Sequence, residues 1–274
     1  MLLWLILARG SQNSGSTTGT LGKIMCGRYT STSTVADLAS IFDVDEVRAE
    51  PRPARYNVAP TDAVFAVALR SSKGETEDRG KGPRRALGTF RWGLVPSWAK
   101  DRSGASRMIN ARSEGIATKP AFRAAVARRR CIIPADAFYE WQRREGRDGK
   151  PAGKLPYAIR RRDGHPMAFA GLWEVWRDKD DPDGEVLRTC AIVTTSANDL
   201  MAPIHDRMPV VLAAADWSAW LEPSTDAEAV AGLMVPAPSA WFEAFAVSTS
   251  VNKVSNDGPH LMDPLPPPPS GNYI

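Results

Sequence analysis

The chain has 274 residues, 43% of them hydrophobic and 24% charged, and a formal net charge of +4. That length supports a large core and the composition is that of a soluble globular protein, while the one marked N-terminal apolar run, Leu2 to Ala8, is far short of the ~20 residues needed to span a bilayer. The three cysteines, Cys26, Cys131 and Cys190, are far apart, and with only three histidines they offer no zinc spacing, so no metal or cofactor is expected, and the sparse, odd count fits a reducing cytoplasm.

Taken in order, residues 1–24 join the apolar run to a Ser/Thr/Gly-rich stretch with the composition of a linker. They read as a misassigned start, with Met25 the true one; a removed pro-segment and a secretory signal are the next readings. Val35, Leu38, Ala39 and Phe42 have helical spacing behind Ser33 or Thr34 as N-cap. Prolines 51, 53 and 60 then force an extended segment. Ala63 to Arg70 and Leu87 to Trp92 read as strands joined by a polar loop. A helix is expected from Pro120 to Arg129, a strand from Cys131 to Pro134, and a charged loop from Arg143 to Gly153. Further strands cover Tyr157 to Arg161, Met167 to Leu172, Arg188 to Thr194 and Phe242 to Val247. Helices are expected at Asp216 to Leu221 and Thr225 to Met234, the second capped by Ser224 or Thr225. Strands do not alternate with helices, so the expected class is α+β: a strand-rich, barrel-like core of mixed and antiparallel sheets with peripheral helices, in one domain. Residues 25–259 form that domain and 260–274 a Pro-rich tail.

The chemistry centres on Met25-Cys26-Gly27-Arg28-Tyr29-Thr30. If Met25 is the start, its removal leaves Cys26 with a free α-amine beside its thiol. Such a 1,2-aminothiol condenses with an aldehyde, the amine giving an imine and the thiol closing a five-membered ring; an internal cysteine cannot do this. Glu140, between Tyr139 and Trp141, sits where partial desolvation would suit a proton shuttle; an exposed Glu on an edge strand is the plainer reading. His205 lies in a turn-like segment between two prolines, where a side chain of the type that ordinarily titrates near neutrality could serve catalysis; the plainer reading is a surface histidine. Asn110 and Arg112, two apart in an extended segment, could face one groove, amide toward an amine or oxyanion and guanidinium toward phosphate. Arg28, Trp92, Trp98, Trp141 and Arg207 surround these positions. Basic groups interleaved with aromatic rings are what a groove for single-stranded nucleic acid needs.

Six stretches in order carry a resemblance: Met25-Cys26-Gly27-Arg28-Tyr29, Tyr56-Asn57-Val58-Ala59-Pro60, Arg91-Trp92-Gly93-Leu94-Val95-Pro96, Ile109-Asn110-Ala111-Arg112-Ser113-Glu114, Phe138-Tyr139-Glu140-Trp141 and His205-Asp206-Arg207-Met208-Pro209. From Met25 to about Pro259 the chain resembles the SOS response-associated peptidase (SRAP) family, which processes abasic sites in DNA. The resemblance implies a cytoplasmic, nucleoid-associated monomer whose partner is single-stranded DNA containing abasic sites. Cys26 would form a thiazolidine with the ring-opened sugar, Glu140 and His205 would move protons, and Asn110 would orient the amine and sugar oxygen. Arg28, Arg112 and Arg207 would grip the DNA backbone, with Pro60 and Trp141 near the flanking bases. The family's peptidase label implies autocatalytic removal of whatever precedes Cys26. Two other readings stay open: a thiol peptidase built from Cys26, His205 and Asn110, and a non-enzymatic single-stranded DNA binder.

Overall fold

The computed structural model describes residues 27–70, 83–145, 150–181, 183–184 and 186–266. The expected leader, Cys26, most of the 71–85 loop and the end of the tail lie outside the described residues.

Burial decides which segments become strands. The chain opens with β1 (Tyr29–Ser31), helix α1 (Val35–Ile41), β2 (Glu46–Val47), β3 (Arg55–Val58), β4 (Ala63–Arg70) and β5 (Arg84–Trp92). Thr34 caps α1 in a reciprocal box with Asp37. Next come β6 (Asn110–Arg112), α2 (Arg123–Arg128), β7 (Arg130–Ala135), β8 (Ala137–Glu145), β9 (Pro151–Arg161), β10 (Met167–Trp176) and β11 (Leu187–Ser196). The chain closes with β12 (Arg207–Pro209), α3 (Trp217–Leu221), α4 (Ala227–Gly232) and β13 (Phe242–Ala246). Both β4 and β7 are continuous apolar runs because both faces are buried. Val64, Ala66, Cys131 and Ile133 face one core, while Phe65, Val67 and Ile132 face a second core shared with the helices.

The smaller sheet is antiparallel, in the order β13-β9-β8-β1-β3. The larger runs β12-β11-β10-β7-β4-β5-β2, and β11 also pairs in parallel with β5 through Thr189 and Cys190 opposite Arg91 and Trp92. That extra pairing closes β5, β4, β7, β10 and β11 into a ring. The expected α+β, barrel-like architecture is therefore observed. Inside the ring Gly171 is bare by necessity, since a Cβ there would lie 2.8 Å from the Cys131 sulfur. Cys131 and Cys190 are fully buried packing residues, and burial raises both thiol pKa values.

Several boundaries differ from expectation. Residues 113–122 form turns, so α2 starts at Arg123 and not at Pro120. The α4 cap is Asp226, whose carboxylate accepts from the amides of Glu228 and Ala229. Strands β8 and β9 extend into the expected charged loop, pairing Arg143 with Lys154. From residue 260 onward, the described part packs back: Leu261 is buried and Leu265 donates its amide to Ala246. Among the described residues no helix is long and apolar enough to cross a membrane.

Candidate functional site

Strand β8 places Glu140 in the middle of the smaller sheet, between β9 and β1, and the side chain is only 2% exposed. It is therefore not an edge-strand residue. The β1–β8 register pairs Tyr29 with Phe138, and the Arg28 carbonyl accepts from the Tyr139 amide at 3.0 Å. One more antiparallel step sets buried Gly27, the first described residue, alongside Glu140. Cys26, bonded to Gly27, lies outside the described residues.

His205 comes from the turn between β11 and β12. Asn198 shapes that turn, accepting from the Met201 amide at 3.0 Å and donating to the Ala237 carbonyl at 2.8 Å. Gln142 of β8 ties the two elements together, donating to the Pro203 carbonyl at 3.0 Å. Glu140, Trp141, Arg143, Lys154, His205 and Asp206 consequently share one cavity of about 290 Å³. Sequence reasoning missed Gln142; its signal was weak, one polar residue on a strand.

The His205 ring is 8% exposed, and its Nδ1 meets two different partners. The Arg207 amide donates to it at 3.1 Å, which suits neutral imidazole protonated at Nε2. The Asp206 carboxylate lies 3.0 Å from the same nitrogen, which suits imidazolium. One nitrogen with a donor and an acceptor in reach fits Nδ1 either bare or carrying a proton.

The remaining expected site residues fall into two groups. Asn110 and Arg112 on β6 pair with Ile192 and Thr194, and Arg207 on β12 pairs with Ser196, so all three meet at the end of β11. Asn110 is half-buried, while Arg112 is exposed and its guanidinium makes no hydrogen bond or ion pair among the described residues. The Arg207 guanidinium, by contrast, is engaged: it pairs with both carboxylate oxygens of Glu114, one of them at 2.9 Å, and donates to the Thr194 carbonyl at 2.7 Å. Arg28 is also engaged, donating to Asn57 Oδ1 and the Val251 carbonyl at 2.9 Å each; burial lowers its pKa, with Asp62 opposing. Fully buried Asn57 in turn donates to the carbonyls of Val251, Lys253 and Asn256, fixing the loop whose Asn252 accepts from the Trp141 indole at 2.7 Å. Nothing in the sequence singled out this 249–257 loop.

The Arg207–Glu114 pair gives a pH-dependent test. Arg207 holds the Glu114 carboxylate below its ordinary range, with partial burial opposing. A depressed folded pKa contributes stability above the unfolded value and loses it as pH falls through the folded one. Because Glu114 is 55% exposed, the contribution at pH 7 is only about 0.5 kcal/mol. Urea titrations should show Glu114→Gln less stable by that amount at pH 7, with the difference disappearing below the carboxylate range.

Pro60 stands half-buried in a turn closed by the Asp62 amide on the Ala59 carbonyl at 3.1 Å. The next residue, Thr61, has φ +76°, where a β-branched side chain is strained by about 1–3 kcal/mol. The Thr61 amide on the Trp92 carbonyl, at 2.8 Å, holds it there. Glycine adopts this conformation freely, and its extra unfolded-state entropy offsets only about 0.5–1 kcal/mol. Thr61→Gly is therefore expected to stabilise by about 1 kcal/mol, seen as a higher urea midpoint at unchanged slope. On the following loop Trp98 is 62% exposed.

The family model for SOS response associated peptidase (SRAP) matches residues 25–254. The chain belongs to the SRAP family. It is 40% identical over 242 residues to the abasic site processing protein YoqW of Bacillus subtilis, covering 87% of this chain and 99% of the relative. It is 32% identical to the abasic site processing protein HMCES of Gallus gallus, covering 77% of this chain and 66% of that longer protein. A crystal structure of a protein from Bacteroides thetaiotaomicron superposes with a TM-score of 0.73 at 25% identity, covering 88% of this chain and all of that one. Among the described residues no group of three or more His, Cys, Asp or Glu could hold a metal.

Proposed function

We propose that this protein captures abasic sites in single-stranded DNA as a covalent thiazolidine on Cys26. The observation that carries the reading is the pairing of two buried titratable groups, Glu140 and His205, on one small cavity beside Gly27. The names of the relatives YoqW and HMCES supply the substrate class. The chemistry follows from the aminothiol. An α-amine with pKa near ~8 is partly neutral at physiological pH and adds to the C1′ aldehyde of the opened sugar; loss of water leaves an imine. The Cys26 sulfur then adds to the imine carbon, its proton passing to nitrogen, and the five-membered ring closes. Glu140 and His205 move the protons that open the sugar and expel water. Exposed Arg112 beside the end of β11 offers a phosphate contact and Trp141 on the cavity wall a base contact, while Arg28 and Arg207 hold the walls in place and reach DNA through whatever donors their protein bonds leave. Any residues before Cys26 must be absent or removed, and the family's peptidase chemistry would remove them.

The test uses protein beginning at Cys26 and single-stranded DNA with one abasic site. A heat-stable adduct is expected from this protein and none from Cys26→Ala. Equal adduct from the alanine variant would sink the proposal, since a lysine imine would then explain capture. Full activity from protein blocked before Cys26 would favour the thiol peptidase reading instead.

A further inference from the structure

The five-stranded ring has two ends. Glu140 and His205 lie toward the end where β11 finishes. At the other end, where β11 begins and β4 finishes, is a wider cavity of about 690 Å³, within the ~300–1,000 Å³ range of small-molecule sites. Its floor is made of small residues, Ala68, Ala86 and Gly88, beside the rings of Phe90 and Trp173. Those two rings meet edge to face, centroids 5.9 Å apart at 69°, which fixes the half-buried indole.

Four arginines, Arg48, Arg70, Arg128 and Arg188, surround this mouth with a single carboxylate, Glu222. Two of them are accounted for, since Arg48 and Arg70 both pair with Glu46. The Glu222 carboxylate accepts from the Ser224 amide and hydroxyl. Arg128, which ends α2, and Arg188, at the start of β11, are both exposed, and neither guanidinium makes a hydrogen bond or ion pair among the described residues. Their neighbours behave differently: Arg129 pairs with Glu174 at 2.6 Å and Arg130 is buried. The mouth thus offers an aromatic wall, an apolar floor and two guanidinium forks with no anion of their own among the described residues.

Aromatic rings stack on bases, and guanidinium forks bind phosphate in two-pronged fashion. We propose that this mouth is a second, non-covalent site for a nucleotide, with the base against Trp173 and the phosphate between Arg128 and Arg188. It is separate from the capture site: from Arg188 to Ser196, the partner of Arg207, β11 runs about 26 Å at ~3.3 Å per residue. It also does not depend on the state of Cys26. The nucleotide can be free or the end of a strand, and the two sources differ in measurable ways.

Calorimetric titration of the full chain tests this with four probes: dAMP, deoxyadenosine, inorganic phosphate and the tetranucleotide p(dA)4. dAMP should bind at least about 10-fold more tightly than either half alone. Arg128→Ala/Arg188→Ala should weaken dAMP by about 10-fold or more, each lost charged contact being worth roughly that factor, and leave abasic-DNA adduct yield unchanged. Trp173→Leu should weaken dAMP and deoxyadenosine but leave phosphate unaffected. Tighter binding of p(dA)4 than of dAMP, lost in the double arginine variant, assigns the site to a strand end; equal affinities assign it to a free nucleotide. Absence of dAMP binding at millimolar concentration, equal affinity in wild type and double variant, or phosphate binding as tightly as dAMP would each overturn the proposal.

Discussion

Glu140→Gln is expected to slow adduct formation with abasic single-stranded DNA by about 10²–10³-fold, within the range that one general acid–base group supplies. The substitution keeps shape and volume and removes only the exchangeable charge. Glu140 is almost wholly buried on a central strand, and a neutral amide costs less to desolvate than a carboxylate. Thermal stability should therefore stay level or rise, which separates a chemical effect from a folding one. Without the shuttle, the steps that remain are attack by the amine and ring closure by sulfur, both belonging to Cys26. The variant should still reach the same adduct yield, slowly. His205→Gln should also slow the reaction, and the double variant should be slower by less than the product of the two single effects, because residues acting on one proton path are not additive. The measurement is a time course on denaturing gels at several pH values. A Glu140→Gln rate within about threefold of wild type would remove Glu140 from the mechanism.

The site was legible in the sequence where its signals are local. Glu140 between two aromatics and His205 between two prolines were candidates from their immediate neighbours, the family resemblance supplied their expected roles, and the structure brings them to one cavity. Strands β4 and β7 were legible for a related reason, since burial on both faces gives an unbroken apolar run. What could not be read was long-range. Arg28 and Arg207 look alike in sequence to exposed Arg112, and only the fold brings Asn57 and Val251 to one and Glu114 to the other. The end of β8, Arg143-Arg144-Glu145, carries charge on both faces and β9 opens on Pro151-Ala152-Gly153, so no alternation marked either as strand. Ring closure between β11 and β5 rests on two residue pairs more than 90 positions apart, and no local pattern records it.

Arg130 is the residue whose loss should cost this fold most. It opens β7 at 3% exposure with no carboxylate in its hydrogen bonds. Its guanidinium instead donates to four backbone carbonyls, those of Val126 and Ala127 at 2.6 and 3.1 Å and those of Trp220 and Glu222. Val126 and Ala127 lie in the last turn of α2, and Trp220 and Glu222 at the end of α3, where a helix leaves its carbonyls without amide partners. A cation between two helix C-termini also meets the negative ends of both dipoles. Burial lowers the Arg130 pKa and the Glu222 charge works against that, yet an arginine stays charged under any ordinary condition. Arg130→Met fills similar space and leaves those carbonyls buried without a donor. Each such loss costs about 1–3 kcal/mol, and partial rearrangement of the short helices brings the expected total to about 3–5 kcal/mol, or roughly 10 °C in Tm for a protein of this size. Arg130→Lys, which keeps the charge but can reach fewer of the carbonyls, should fall between. Because Arg130 is remote from Glu140 and His205, adduct yield below the unfolding transition should be unchanged. An Arg130→Met protein as stable as wild type would show that water replaces the guanidinium, and that the arginine does not hold the two helices to the ring.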